Sequence, residues 1–268
     1  MVRSLGALSP VVSSQGRLLA IAHDALGQTS RFEDFTEHLV EWSGMLYQCD
    51  NVALSYRLAP LDVYTPLDMR APGAASGMIA LECAMDELAC AAQIDPVDLR
   101  QRNFAANNAN EGKPYSSKEL LACYQQGAER FGWRNRNPQP RSMRNGSQLV
   151  GWGMAGGVWE AMQMKASAKA HIDAQGHLTV SSATTDIGTG TYTVMTQIAA
   201  DAAGVRVQDV TFMLGDSSLP TAPLQGGSFT VSSVGSAVRQ ACQVLRTKVL
   251  EHARKMYPQV ASTPREQI

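Results

Sequence analysis

The sequence predicts an α/β (α+β) protein made of two mixed-sheet-plus-helix subdomains. Three observations carry that prediction. Apolar residues Met78, Leu81, Ala84, Met85, Leu88 and Ala92 recur at three- and four-residue steps, the stripe of an amphipathic helix. Short apolar runs bounded by turn residues, at 16–24, 168–180 and 207–214, read as strands. Between these halves, Arg136, Pro138, Pro140, Arg141, Arg144 and Gly146 form a mixture that breaks regular structure and stays solvated. The predicted division is therefore 1–135, a linker at 136–147, and 148–268.

Taken in order, residues 1–15 show no element, and the strand at 16–24 lacks an earlier partner. This leads to the expectation of a piece of a larger protein, incomplete at both ends once the family pattern below is considered. The helix over 74–92 turns Glu82, Asp86 and Glu87 outward as its polar side. Asp95-Pro96-Val97-Asp98 supplies an N-cap, a proline at the first helical position and an acid for the helix dipole, so a short helix runs towards Asn103. Ser116 and Glu119 have capping-box spacing, starting a helix that buries Leu120, Leu121, Tyr124 and Phe131.

Past the linker, two strands turn at Gln175-Gly176. A small-residue loop at 187–191 then leads into a helix from Tyr192 to Ala203, stopped by Gly204. A strand at 207–214 follows. Pro220, Pro223, Gly226 and Gly227 make a second loop, and Val231, Val234, Val238, Ala241, Leu245 and Val249 continue a helical stripe. The order is β-β-loop-α-β-loop-α.

Composition removes several function classes. With 23 Lys plus Arg against 24 Asp plus Glu, the net charge of −1 supplies no broad field for nucleic acid. Charged residues make up 18%, below the usual quarter, which points to a surface partly covered by partners. No apolar run approaches the twenty residues or so of a membrane helix, and the N-terminus makes a poor signal peptide. The 5 cysteines and 5 histidines are scattered without metal-ligand spacing, so no protein-ligated metal is expected.

The two glycine loops carry the chemistry. Backbone N–H groups at a helix start lack intrahelical partners and favour negative charge. Gly188 and Gly190 would let the main chain approach a phosphate or pterin edge, with hydroxyls from Thr189, Thr191 and Ser228 adding hydrogen bonds. Two tight turns would explain each loop equally well. A dinucleotide fold is disfavoured because Thr193 stands in the place of the third glycine, and no acid ends a second parallel strand about twenty residues on.

Five stretches, in order, resemble the large molybdenum-cofactor subunit of the xanthine oxidase family. They are Met69-Arg70-Ala71-Pro72-Gly73, the run from Leu81 to Leu88, the run from Asp95 to Asn103, Asp186-Ile187-Gly188-Thr189-Gly190-Thr191-Tyr192-Thr193, and Gly226-Gly227-Ser228-Phe229-Thr230 followed by Val234 to Val238. Within that family the pattern is most similar to bacterial aldehyde oxidoreductases that use molybdopterin cytosine dinucleotide. The resemblance implies a molybdenum-cofactor-binding fold, with 1–135 ending a first cofactor-binding subdomain and 148–268 beginning a second. It implies that Arg70 and Ala71 lie beside the molybdenum centre, and that Gly188, Thr189 and Gly190 correspond to a Gly-Gln-Gly loop. Gly226, Gly227 and Ser228 correspond to a later cofactor loop. Thr189 departs from the commoner glutamine, so a backbone contact carries over there and a side-chain amide contact does not.

The activity so implied is oxidative hydroxylation of aldehydes to carboxylic acids, or of N-heterocycles. The implied partners are an iron–sulfur small subunit, an FAD-binding medium subunit and further segments of the large subunit. The implied compartment is the cytoplasm, or the periplasm by co-export with a partner. The family's catalytic base is a glutamate in a Gly-Glu segment near the subunit's C-terminus. The sequence contains no such segment, so no catalytic residue is assigned, Glu82, Glu87 and Glu160 included, and the chain is expected to be inactive alone. The alternative is a non-catalytic remnant or interaction module of the same fold that binds no cofactor.

Overall fold

A computed structural model describes residues 4–160, 162–257 and 259. The chain divides into two compact units, Met1–Trp159 and Glu160–Ile268.

The first unit is organised on a three-stranded sheet in the order β1-β2-β3. Strand β1 (Ser4–Val12) runs antiparallel to β2 (Leu18–Ser30), the chain reversing at Gly16 with φ 76°. The expectation of no element in the first fifteen residues is therefore corrected. Pro10 is accommodated because β1 is an edge strand, where a missing N–H is tolerated. After α1 (Glu41–Met45), β3 (Val52–Leu61) pairs parallel with β2. It has no counterpart among the sequence-predicted elements, although Val52, Leu54, Tyr56 and Leu58 alternate with exposed residues as a half-buried strand should.

Helix α2 (Ala74–Ala92) matches its predicted span, with Leu81, Met85 and Ala89 fully buried against Ile21, Trp42 and Leu46. The predicted outward position of Glu82 is corrected: it is 5% exposed. Helix α3 (Pro96–Arg102) begins as predicted, the Asp95 carboxylate accepting the N–H groups of Val97 and Asp98. Arg100 of α3 explains Glu82. Its Nε donates to Glu82 Oε2 at 2.8 Å, and one terminal nitrogen donates to Asp86 at 2.8 Å and to the Pro96 carbonyl at 3.0 Å. The other donates to the Glu82 carbonyl at 3.1 Å. A buried charge persists only when paired and hydrogen-bonded. Tyr47 Oη (2.5 Å) and the Gly156 N–H (2.7 Å) complete the carboxylate's shell.

Two short ladders pair β4 (Asn107–Asn108) with β5 (Lys113–Pro114), and β6 (Arg144–Asn145) with β7 (Gln148–Leu149). Helix α4 (Leu120–Phe131) does not use Ser116, because its first flanking residue is Glu119, with no side-chain cap. Tyr124 is buried and Leu120 partly buried, whereas Leu121 and Phe131 are 42% and 57% exposed. The packed stripe runs through 120, 124 and 128, and the two predicted residues fall beside it. Apolar residues beyond the predicted linker place the division of the units at 159/160. Trp152 and Met154 pack on Tyr124 and Trp133, and Trp159 stacks on Trp42 with ring centres 5.5 Å apart.

In the second unit, β8 (Lys169–Ile172) and β9 (Leu178–Ser181) form the predicted hairpin, with Gly176 at φ 84° and Asp173 accepting the N–H groups of Gln175 and His177. Helix α5 (Thr191–Ala203) ends at Gly204 with φ 76°, then β10 (Val210–Met213) pairs parallel with β9 in the order β10-β9-β8. The predicted strand at 207–214 is shorter because Val207–Asp209 forms a tight turn, held by Arg206 on Asp209 at 2.7 Å. Helix α6 (Ser236–Met256) follows a wide π-type turn, Val231–Gly235. Leu178, Val180, Met195, Ala199, Val234 and Val238 make the core.

Candidate functional site

In the first unit, Arg70 and Ala71 lie in the loop that enters α2. Arg70 is exposed and makes no ion pair among the described residues. Ala71 holds φ 56°, a left-handed conformation that costs a non-glycine residue about 1–2 kcal/mol. Next to it, Gly73 at φ 68° is required sterically, since a Cβ there would fall 2.4 Å from the His38 carbonyl carbon and oxygen. Beneath the loop lies Glu37, 5% exposed, which accepts the Gly73 N–H and whose Oε2 has no partner. Burial raises its carboxyl above the usual range, against the lowering pull of that N–H. Nothing in the local sequence pattern around Glu37 marks it as buried, so it is not among the candidate residues read from the sequence. Phe32, Tyr64, Leu67 and Met69 are each at least 70% exposed around this edge, an apolar surface of the kind partners cover. A cleft of about 1230 Å³ in this unit is lined by α2's C-terminal end, α3 and residues 132–140, and includes neither Arg70 nor Ala71.

In the second unit the two predicted glycine loops come together. Gly188 (φ 99°) and Gly190 (φ 82°) adopt conformations that disfavour side chains, with nothing within 4 Å of where a Cβ would project. Gly226 to Phe229 form a tight turn closed by the Phe229 N–H on the Gly226 carbonyl at 3.2 Å, with Gly227 and Ser228 both left-handed at φ 55° and 63°. A Cβ on Gly227 would sit 2.7 Å from the Met162 methyl, the far end of a flexible side chain, so the left-handed φ rather than packing favours glycine there. Ala71 and Ser228 are thus two of the four non-glycine residues at positive φ among the described residues. Strain retained at such positions is a mark of functional segments.

Gln225 joins the loops. Its Oε1 accepts the Thr185 hydroxyl at 2.7 Å, and its Nε2 donates to Thr189 and Thr191, each at 3.2 Å. Sequence reasoning did not single it out, because a lone glutamine before two glycines carries no motif signal.

The expectation of free backbone donors at the first loop is corrected. Asp186 Oδ1 accepts the N–H groups of Gly188 (2.8 Å) and Gly190 (3.3 Å), and Oδ2 that of Tyr192 (3.5 Å). These bonds, Gly188's first, lower the Asp186 carboxyl below its ordinary value. The carboxylate already fills the anion cradle at the start of α5. What remains available is a hydroxyl at Thr189, held by Gln225 beside the open space over Gly188 and Gly190. Such a donor suits the oxygen- and nitrogen-rich edge of a pterin or a phosphoryl oxygen.

Residues 8–104 and residues 126–264 each match the molybdopterin cofactor-binding domain. The chain belongs to that family. This molybdopterin cofactor-binding chain is 39% identical over 236 residues to the aldehyde oxidoreductase molybdenum-binding subunit PaoC of Escherichia coli (strain K12), covering 87% of the chain and 32% of PaoC. It is 27% identical over 264 residues to the xanthine dehydrogenase molybdenum-binding subunit of Escherichia coli O157:H7, covering 93% of the chain and 35% of that subunit. Quinoline 2-oxidoreductase from Pseudomonas putida 86 shares its fold, with a TM-score of 0.81 at 19% identity over 92% of the chain and 35% of the enzyme. The chain therefore spans about a third of the length of the curated relatives it matches. Among the described residues no helix is long and apolar enough to cross a membrane, and no cluster of His, Cys, Asp and Glu is suited to hold a metal ion.

Proposed function

We propose that the chain forms part of the large subunit of a molybdenum-dependent oxidoreductase that hydroxylates aldehydes to carboxylic acids, with N-heterocycles as the second substrate class. The cofactor form is molybdopterin cytosine dinucleotide. The residues assigned to cofactor contact are Arg70, Ala71, Gly188, Thr189, Gly190, Gly226, Gly227 and Ser228. An iron–sulfur subunit and an FAD subunit accept the electrons.

The observation that carries this reading is the junction of the 188–190 and 226–228 loops through Gln225. Two strained, side-chain-poor bends are held side by side with hydroxyl donors between them. When bound, the molybdenum centre supplies Lewis-acid and redox chemistry for oxidative hydroxylation. The chain's own residues bind and orient. Arg70 offers a fixed positive charge with a planar donor face, the glycines admit a flat ring system closely, and Thr189 donates a hydroxyl. Glu82 performs no proton transfer in this reading, since Arg100, Tyr47 and Gly156 already engage it.

The test is chemical. The chain is produced in a host that makes molybdenum cofactor and is then denatured. The extract is assayed for pterin fluorescence, molybdenum, and cytidine monophosphate after mild hydrolysis. All three should appear together. Pterin without cytidine monophosphate overturns the dinucleotide form, and absence of pterin overturns the reading.

A further inference from the structure

Gln225 Nε2 lies within hydrogen-bond distance of both hydroxyls of the first glycine loop. A carboxamide nitrogen can only donate, and a carboxamide oxygen can only accept. With Nε2 at 3.2 Å from both Thr189 Oγ1 and Thr191 Oγ1, each threonine oxygen is an acceptor towards Gln225, and each keeps its own hydrogen to give elsewhere. Thr191 is 3% exposed and its Oγ1 lies 3.4 Å from Thr189 Oγ1, so the buried Thr191 hydroxyl has an acceptor within the pair, whereas Thr189 also faces solvent. The exposed Thr189 hydroxyl then has its hydrogen directed outward, beside the open space over Gly188 and Gly190. Because Asp186 holds the N–H groups of Gly188, Gly190 and Tyr192, this hydroxyl takes over the donor role that the backbone has given up.

We infer that Gln225 is a positioning residue for the cofactor: it fixes the Thr189 hydroxyl as an outward donor to an acceptor oxygen, phosphoryl or carbonyl, of the molybdopterin. The inference rests on the cofactor reading proposed above.

The experiment uses the whole chain produced in a cofactor-making host, with wild type compared with Thr189→Val, Thr189→Ser, Gln225→Glu, Gln225→Ala and the Thr189→Val/Gln225→Glu pair. Two readouts are taken: pterin retained through gel filtration, and amide hydrogen exchange over residues 186–192 in the cofactor-free chain. Gln225→Glu keeps a hydrogen-bonded clasp but makes both threonines donate to it, so exchange stays at the wild-type level while retention falls about tenfold, the loss of one good hydrogen bond. Thr189→Val falls equally, the pair falls no further, Thr189→Ser matches wild type, and Gln225→Ala raises exchange as well as losing pterin. Inorganic phosphate and pterin-6-carboxylate, titrated separately as competitors, identify the acceptor. Thr189→Val weakens phosphate competition if the acceptor is phosphoryl, and pterin competition if it is a carbonyl. Wild-type retention in Gln225→Glu and Thr189→Val overturns the inference while leaving the cofactor reading intact. A wild-type chain without pterin overturns the cofactor reading, and the inference with it.

Discussion

Replacing Arg100 with Met should destabilise the first unit severely, and the structure gives the size. The guanidinium is fully buried and makes four hydrogen bonds, to the Glu82 carboxylate, the Asp86 carboxylate, and the carbonyls of Pro96 and Glu82. The Asp86 side chain is 40% exposed and regains water when Arg100 leaves, so its share is about 1 kcal/mol at most. Glu82, at 6%, regains little and keeps only Tyr47 and Gly156. Removing one partner of such a pair costs about 3–5 kcal/mol, a fall in melting temperature of roughly 10 °C for a unit of this size. The assay is urea unfolding followed by tryptophan fluorescence. All 4 tryptophans, Trp42, Trp133, Trp152 and Trp159, lie in the first unit, so the signal reports that unit alone. The double variant Glu82→Leu/Arg100→Met should recover part of the loss, because no unpaired buried charge remains. A cost below about 1 kcal/mol for Arg100→Met, or a double variant weaker than the single, would refute the argument that Glu82 is buried as an ion.

Other perturbations separate sterics from conformation and burial from exposure. Gly73→Ala should cost about 3 kcal/mol or more, because its Cβ would meet the His38 backbone, whereas Gly190→Ala should lose only the left-handed penalty of about 1–2 kcal/mol; equal losses in denaturant midpoints would contradict this. Titration with a thiol reagent should modify Cys83, Cys90 and Cys123 at once and reach Cys49 and Cys242 only on unfolding, burial having pushed the Cys242 thiol up to about 11. Lys118 is held at about 8, against 10.5 unfolded, by burial where it donates to the Ala105 carbonyl. Below about pH 8 it is charged in both states. Above that value the unfolded chain binds more protons, so stability of the first unit should rise relative to Lys118→Met until about pH 10.5. A wild-type-minus-variant difference that stays flat across this window, by tryptophan fluorescence, would count against it.

The amphipathic stripe of α2, the Asp95 cap, the Gln175-Gly176 turn and the Gly204 stop are local properties, and each emerges where periodicity or turn chemistry puts it. The eight candidate cofactor residues were nominated on a related ground. Glycines and short polar residues at a helix start are recognisable in one dimension, and the resemblance to a known family attached a ligand to them. Whether Glu82 faces water or Arg100 depends on a partner eighteen residues away, and hydropathy alone puts an acid outside. Strand β1 exists because β2 lies beside it, and residues 152–159 belong to the first unit because Trp42 and Tyr124 receive them. Composition could nominate N–H groups as an anion cradle, but only the three-dimensional arrangement assigned them to Asp186 and brought Gln225 against Thr189. Hydrogen-bond partners are fixed by distance in space, and the sequence records only distance along the chain.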